Sequence, residues 1–162
     1  MEEGRSDVYF GEESSVQCYI SDTRRANVFG TPGVDIDWRN QNTFFLKTGE
    51  AKTYIGKYRG VNRIPLLKLS EMYLIAAEAS GDKGYLQTLR DHRGYVNYPL
   101  EENCDLAAEI EAEYRKEFMA EGQLFYYYKR LDYNTLPDMG VVMTGNYVFP
   151  MPDDEMEFGD IK

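Results

Sequence analysis

Glu109, Glu113, Glu117 and Glu121 recur at four-residue steps, which on a helix brings four carboxylates onto one face. A carboxylate pair is the chemistry of glycoside hydrolysis. Like charges at this spacing mildly destabilise a helix, so the ladder needs a reason to exist, and Arg115 and Lys116 offset only part of the repulsion. No other catalytic constellation survives inspection. His92, the one histidine, sits between Asp91 and Arg93 with no nucleophile beside it and reads as a surface or packing residue. Cys18 and Cys104 lie far apart without metal-ligand spacing, so the sequence offers no zinc site of the usual Cys/His kinds. They fit either one disulfide closing a long loop or two unpaired small hydrophobes, and so leave the compartment open.

Two further clusters fail on spacing. Asp153, Asp154, Glu155 and Glu157 lack the ligand order of a Ca²⁺ loop and read as a solvated tail. Gly30-Thr31-Pro32-Gly33 has neither the Lys-Ser/Thr nor the following helix of a phosphate loop. The expectation is therefore no metal, no cofactor and no catalysis.

Binding is the better-supported chemistry. The chain holds 14 Tyr, 8 Phe and 1 Trp, and flat rings with polar tips suit both half-buried packing and ligand platforms. Trp38 stands in the polar run Asp35-Ile36-Asp37-Trp38-Arg39-Asn40-Gln41-Asn42. Sugars stack their C–H faces on such a ring while groups like Asp37, Arg39 and Asn40 bond the hydroxyls, which makes these four the candidate ligand-binding residues. The competing reading is that Trp38 packs its loop onto the helices. Phe44, Phe45, Tyr54, Tyr58 and the run Phe125–Tyr128 are further aromatic candidates; of that run, most rings should be core and at least one exposed.

The elements that must position these residues follow from pattern. With 162 residues and ordinary apolar and charged fractions, 43% and 28%, the chain fits one folded region able to bury a core. Its net charge of −10 disfavours nucleic acid and anionic membrane surfaces. Apolar runs stop at four or five residues, as in Leu74-Ile75-Ala76-Ala77, against the roughly 20 that a membrane span needs. Residues 1–62 read as loop with short strands; Thr43–Leu46 and Lys52–Tyr58, joined through Lys47-Thr48-Gly49-Glu50, predict a hairpin.

Residues 63–131 read as helical. A first helix opens near Pro65, with Leu66, Leu69, Tyr73, Ala76 and Ser80 as its stripe, and stops at Gly81. Asp82 caps a second, Lys83 to Val96, with Tyr85/Leu86, Leu89 and Val96 inward. The short break makes the pair an antiparallel hairpin. A third, long helix starts at Asn103–Asp105 and extends toward Leu131, with Gly122 as a kink or division. Residues 132–162 are irregular. The fold class is thus mainly α: a TPR-like helical hairpin plus one long helix, with long loops and a small β-hairpin. Leu67, Leu74 and Ile75 make the first helix apolar on a second side as well, so it is built for a neighbour beyond the hairpin.

At this point the residues resemble a known family. The run from Arg63 through Ile64-Pro65-Leu66-Leu67-Lys68-Leu69-Ser70-Glu71-Met72-Tyr73-Leu74-Ile75-Ala76-Ala77-Glu78-Ala79 is similar to a signature helix of the SusD/RagB family. These are outer-membrane surface lipoproteins of Bacteroidetes that capture nutrient for a TonB-dependent transporter. Leu86 to Gly94 resembles the family's next helix, with Leu86 or Leu89 where an Asn is usual. Glu113-Tyr114-Arg115-Lys116-Glu117-Phe118-Met119-Ala120-Glu121-Gly122 resembles its Glu-Arg-x-x-Glu-φ-x-x-Glu-Gly segment, with Tyr114 in the Arg place and Leu124 and Tyr127 for the usual Arg and Asp that follow. Phe149-Pro150-Met151-Pro152 with Glu155, Asp22-x-Arg24 and Lys57-Tyr58 also match, in family order.

The resemblance makes Glu117 and Glu121 structural and implies a C-terminal portion, 1–162, of a surface glycan-binding protein. Its partner would be a SusC-like TonB-dependent transporter and its place the outer membrane, exposed at the cell surface, with lipid anchor and signal peptide outside this stretch. Its ligand would be an oligosaccharide, or a peptide as in RagB-like members. The rival reading is a TPR-like interaction scaffold that binds no nutrient.

Overall fold

The computed structural model describes residues 18–30, 36–59, 64–137, 140–148 and 152. The chain forms two compact units, Met1–Leu124 and Phe125–Lys162. It is mainly helical with one small antiparallel sheet, as the sequence pattern predicts. Among the described residues no helix is long and apolar enough to cross a membrane.

In the first unit, β1 (Tyr19–Ile20), β2 (Phe44–Leu46) and β3 (Thr53–Ile55) form a sheet in the order β1-β3-β2. The expected hairpin is the β2–β3 pair, in register Phe45↔Tyr54. β1 adds a third strand that is too short to carry an alternation signal. One face of the sheet packs Ile20, Phe44 and Ile55 with Cys18, Tyr58 and Met119. Both cysteines are unbonded thiols.

The loop reading of the first 62 residues misses two helices. In α1 (Asp22–Phe29) the Ser21 side chain accepts from the Arg24 N–H, and Asp22 favours the first turn. In α2 (Trp38–Asn42) the Asp37 carboxylate accepts from the Arg39 N–H. Neither shows an apolar stripe, because α1 buries no residue and α2 buries only Asn40.

The helical hairpin is α3 (Leu69–Ser80) and α4 (Lys83–Arg90). Gly81 ends α3 at φ 70°, and the Asp82 carboxylate caps α4 at Gly84, both as expected. Two details differ. α3 starts at Leu69 rather than near Pro65, because Lys68 is held extended while its ammonium donates inward to Glu121 and the Glu117 carbonyl. The face turned inward is Ser70, Leu74 and Ala77, not the stripe of Leu66, Leu69, Tyr73, Ala76 and Ser80; Leu69 is 72% exposed. Small Ser70 and Ala77 let α3 lie close to its neighbours, whereas the larger stripe would hold it off.

α4 continues into a π-helical turn, Asp91–Tyr95, in which Gly94 takes φ 108°. That turn rotates the chain so that Tyr95, not Val96, faces inward. α5 (Leu106–Glu117) is capped by Asp105, in the expected region. It ends at Glu117, and α6 (Gln123–Arg130) follows. The division expected at Gly122 is a break across 118–122, forced by left-handed backbone at Ala120 and Gly122.

The second unit is built on rings. Tyr127 and Tyr128 are buried while Tyr126 is exposed, as four rings in a row on a helix require. Phe125 packs on Tyr147 and Tyr128 on Tyr133, and the Tyr147 hydroxyl donates to the Tyr133 carbonyl. The β-like Tyr147-Val148-Phe149 is a turn and bend at its first two positions. Phe149, the acidic tail and Thr31-Pro32-Gly33 lie outside the described residues.

Candidate functional site

The four candidate residues open α2, and the fold sends them in two directions. The Arg39 guanidinium donates to both oxygens of Asp37, at 2.9 and 2.7 Å, to Glu113 at 2.7 Å and to Glu117 at 3.1 Å. Asn40 is buried and accepts from Arg25 through its side chain at 2.7 Å and through its carbonyl at 2.9 Å. Asp37 also accepts from the Tyr95 hydroxyl. Asp37, Arg39 and Asn40 are therefore committed to the protein interior. Trp38, 54% exposed, is the member of the set that faces outward.

Trp38 is seated on the π turn. A Cβ on Gly94 would stand 3.0 Å from the indole and 2.1 Å from the Ile36 carbonyl oxygen, so the contact exists because residue 94 has no side chain. The turn thus supports one part of the ring and leaves the rest open to solvent.

Behind α2, Glu113, Glu117 and Glu121 close a continuous charge network. Glu113 also pairs with Lys116 at 3.0 Å. Glu117 receives two bonds from Arg93, both at 3.0 Å. Glu121 accepts from Lys68 at 2.7 Å, from the Tyr58 hydroxyl at 2.8 Å and from Lys57, whose ammonium also donates to the Glu117 carbonyl. Glu109 pairs with Arg90 at 2.6 Å. The expected four-step ladder holds on the helix only for Glu109, Glu113 and Glu117, because α5 ends at Glu117 and Glu121 lies in the break beyond it. The carboxylates are offset by Arg39, Lys57, Lys68, Arg90 and Arg93 from outside the helix and by Lys116 within it.

Electrostatics follow from this pairing. Burial pushes the Glu117 carboxyl up, but the Arg93 bonds and the charges of Arg93, Arg39 and Lys68 overcome it and hold the group at about 2. Asp37 is likewise lowered, its burial outweighed by Arg39. Burial raises the Tyr95 and Tyr58 hydroxyls, Tyr58 also through its bond to Glu121. Lys57 goes the other way: burial and the neighbouring Lys68 lower it to about 8 against the pull of Glu121. A general acid needs a carboxyl raised toward neutrality. Glu117 is shifted in the opposite sense, toward permanent ionisation.

His92 is exposed on the π turn, and no group of three or more potential ligands among the described residues is placed to hold a metal ion. The network residues Lys57, Lys68 and Arg93 were not among the candidates. The regular glutamate spacing signals that partners are required, but not where they come from. No family model, curated protein or solved structure matches the chain.

Proposed function

We propose that the chain belongs to a SusD-like surface protein that captures oligosaccharide without catalysis and passes it to a SusC-like TonB-dependent transporter at the outer membrane. The observation that carries the reading is convergence. Lys57, Tyr58, Lys68, Arg93, Glu117 and Glu121, drawn from four separated stretches of the resemblance, meet in one buried network. Residues that meet this way act as a structural unit, which supports the resemblance over a chance run of similar letters. It also supports a non-catalytic role, since the ladder's carboxylates are engaged by cations.

Trp38 is the ligand platform in this reading, with its ring open and its backing fixed by Gly94. Calorimetric titration of the chain with a panel of soluble polysaccharides, repeated with Trp38→Ala, tests it. Heat with one glycan that disappears in the variant supports the site. Binding that survives the substitution removes Trp38 from it, and peptide-only binding shifts the ligand class to that of RagB-like members.

The scaffold reading is favoured by one observation, the exposed Leu69, Met72 and Ile75 along the outer side of α3, with Leu66 and Leu67 exposed just before it. Self-association or capture of a helical partner, with no glycan bound, would select it.

A further inference from the structure

The outward side of α2 continues past the indole. Trp38, Gln41 and Asn42 fall at steps of three and four, share one side of the helix and are exposed. None of the three carries a charge. The guanidiniums of α2 and of the π turn are committed elsewhere: Arg39 donates to Asp37, Glu113 and Glu117, and Arg93 donates to Glu117. The indole is thus flanked by neutral carboxamides, in a chain whose net charge of −10 already disfavours anions.

Asn42 is held in one orientation. Its Nδ2 donates to the Trp38 carbonyl at 2.7 Å, across one turn of α2. Only the NH₂ side of a carboxamide can face a carbonyl oxygen, so Oδ1 is turned away from that carbonyl and one N–H remains. Among the described residues neither Oδ1 nor this second N–H has a protein partner. A side chain fixed in advance loses little freedom when it binds. Trp38 is fixed as well. A Cβ on Gly94 would stand 3.0 Å from both Cδ1 and Nε1, so the five-membered side of the indole rests on the π turn and the six-membered ring is the part left to solvent. Side chains one helical turn apart have Cβ atoms about 5–6 Å from each other, a separation that one sugar ring bridges.

We infer that this side of α2 selects an uncharged oligosaccharide of all-equatorial pyranoses, with its C–H face on the six-membered ring of Trp38 and its rim hydroxyls bonded to Asn42. The inference rests on the glycan-capture reading; it names the ligand class and makes Asn42 the specificity residue. On an all-equatorial ring every hydroxyl lies at the rim, and the face against the indole presents only C–H. Each hydroxyl both donates and accepts, which matches a carboxamide offering one acceptor oxygen and one N–H. A carboxylate or sulfate only accepts. It would leave Oδ1 without a donor and would lose hydration with no exposed cation on this side of α2 to offset the loss.

Calorimetry on the whole chain tests this with three ligands of one length. They are a cello-oligosaccharide, its O-methylated form, which keeps the C–H faces and loses the hydroxyl donors, and an oligogalacturonate. The variants are Trp38→Ala and Asn42→Ala, each verified as folded by circular dichroism, with Trp38 emission followed in the second. The natural chain should bind the cello-oligosaccharide about tenfold more tightly than either of the others, the worth of one well-placed neutral hydrogen bond. Trp38→Ala should abolish binding. Asn42→Ala should weaken the cello-oligosaccharide to the level of its methylated form and leave the methylated form unchanged. Equal weakening of both would make Asn42 merely structural and overturn the inference, as would a variant that keeps the full preference. Equal or tighter binding of the oligogalacturonate would overturn the uncharged class. In each of these cases glycan capture stands, since sugar is still bound. Silence toward all three would overturn the inference, and glycan capture fails with it only when the whole polysaccharide panel is silent too.

Discussion

Arg39 and Glu113, 74 positions apart in the chain, meet at 2.7 Å, and Glu113 is completely buried there. One guanidinium holds Asp37, Glu113 and Glu117 together, so α2 is fastened to α5 by charge rather than by an apolar stripe.

Removing that guanidinium leaves buried carboxylates short of a partner, which costs about 3–5 kcal/mol. Arg39→Met should lower unfolding stability by that order in urea titration. Adding Glu113→Gln should recover part of the loss, because neutralising the orphaned group removes its penalty. A loss below about 1 kcal/mol in the single variant would show that the network does not carry the fold.

The acid limb of stability should report Glu117. Its carboxyl titrates at about 2 in the folded chain against 4.5 as an unperturbed group, so the unfolded state takes up the proton first. The resulting stabilisation is complete above pH 4.5 and drains away as pH falls toward 2. It amounts to about 3 kcal/mol. Urea midpoints measured from pH 6 to pH 2.5 should converge for the natural chain and Glu117→Gln at the acid end; a constant gap between them would contradict the pairing.

Gly94 should be intolerant of a methyl group. Alanine there must adopt φ 108° and place its Cβ 2.1 Å from the Ile36 carbonyl oxygen, which is backbone and cannot swing aside. Gly94→Ala should cost about 1–3 kcal/mol and change the emission of Trp38, the sole tryptophan. Unaltered fluorescence with unaltered stability would mean that the indole is not seated on this turn.

The two sides of α3 should respond oppositely. Leu74, fully buried, should cost about 2–5 kcal/mol when cut to alanine. Leu69→Ala should change thermal stability by no more than about 0.5 kcal/mol. The reverse ranking would restore the stripe of Leu66, Leu69, Tyr73, Ala76 and Ser80 to the inside.

Local chemistry was legible in the sequence. Gly81 as a stop, Asp82 as a cap, a helix start near Asn103–Asp105, the β2–β3 turn and the break near Gly122 each depend on groups within a few residues, and each occurs where those residues place it. The two short helices α1 and α2 are not legible in the sequence although Ser21 and Asp37 supply caps, because neither carries the apolar period that would make a helix stand out.

Tertiary structure alone decided the remainder. α3 is apolar on two sides, so its periodicity permits two orientations, and packing against α4 and α5 selects Ser70, Leu74 and Ala77. Asp37, Arg39 and Asn40 have the composition of a sugar-binding loop, but a polar side chain reads the same whether it meets solvent or a buried counter-charge. The path of the chain brings Glu113 and Glu117 to Arg39, and Arg25 to Asn40, and only Trp38 is left facing outward. The glutamate ladder announces by its spacing that it must be compensated. Which cations do so is set by contacts spanning up to 78 positions, and no local pattern encodes them.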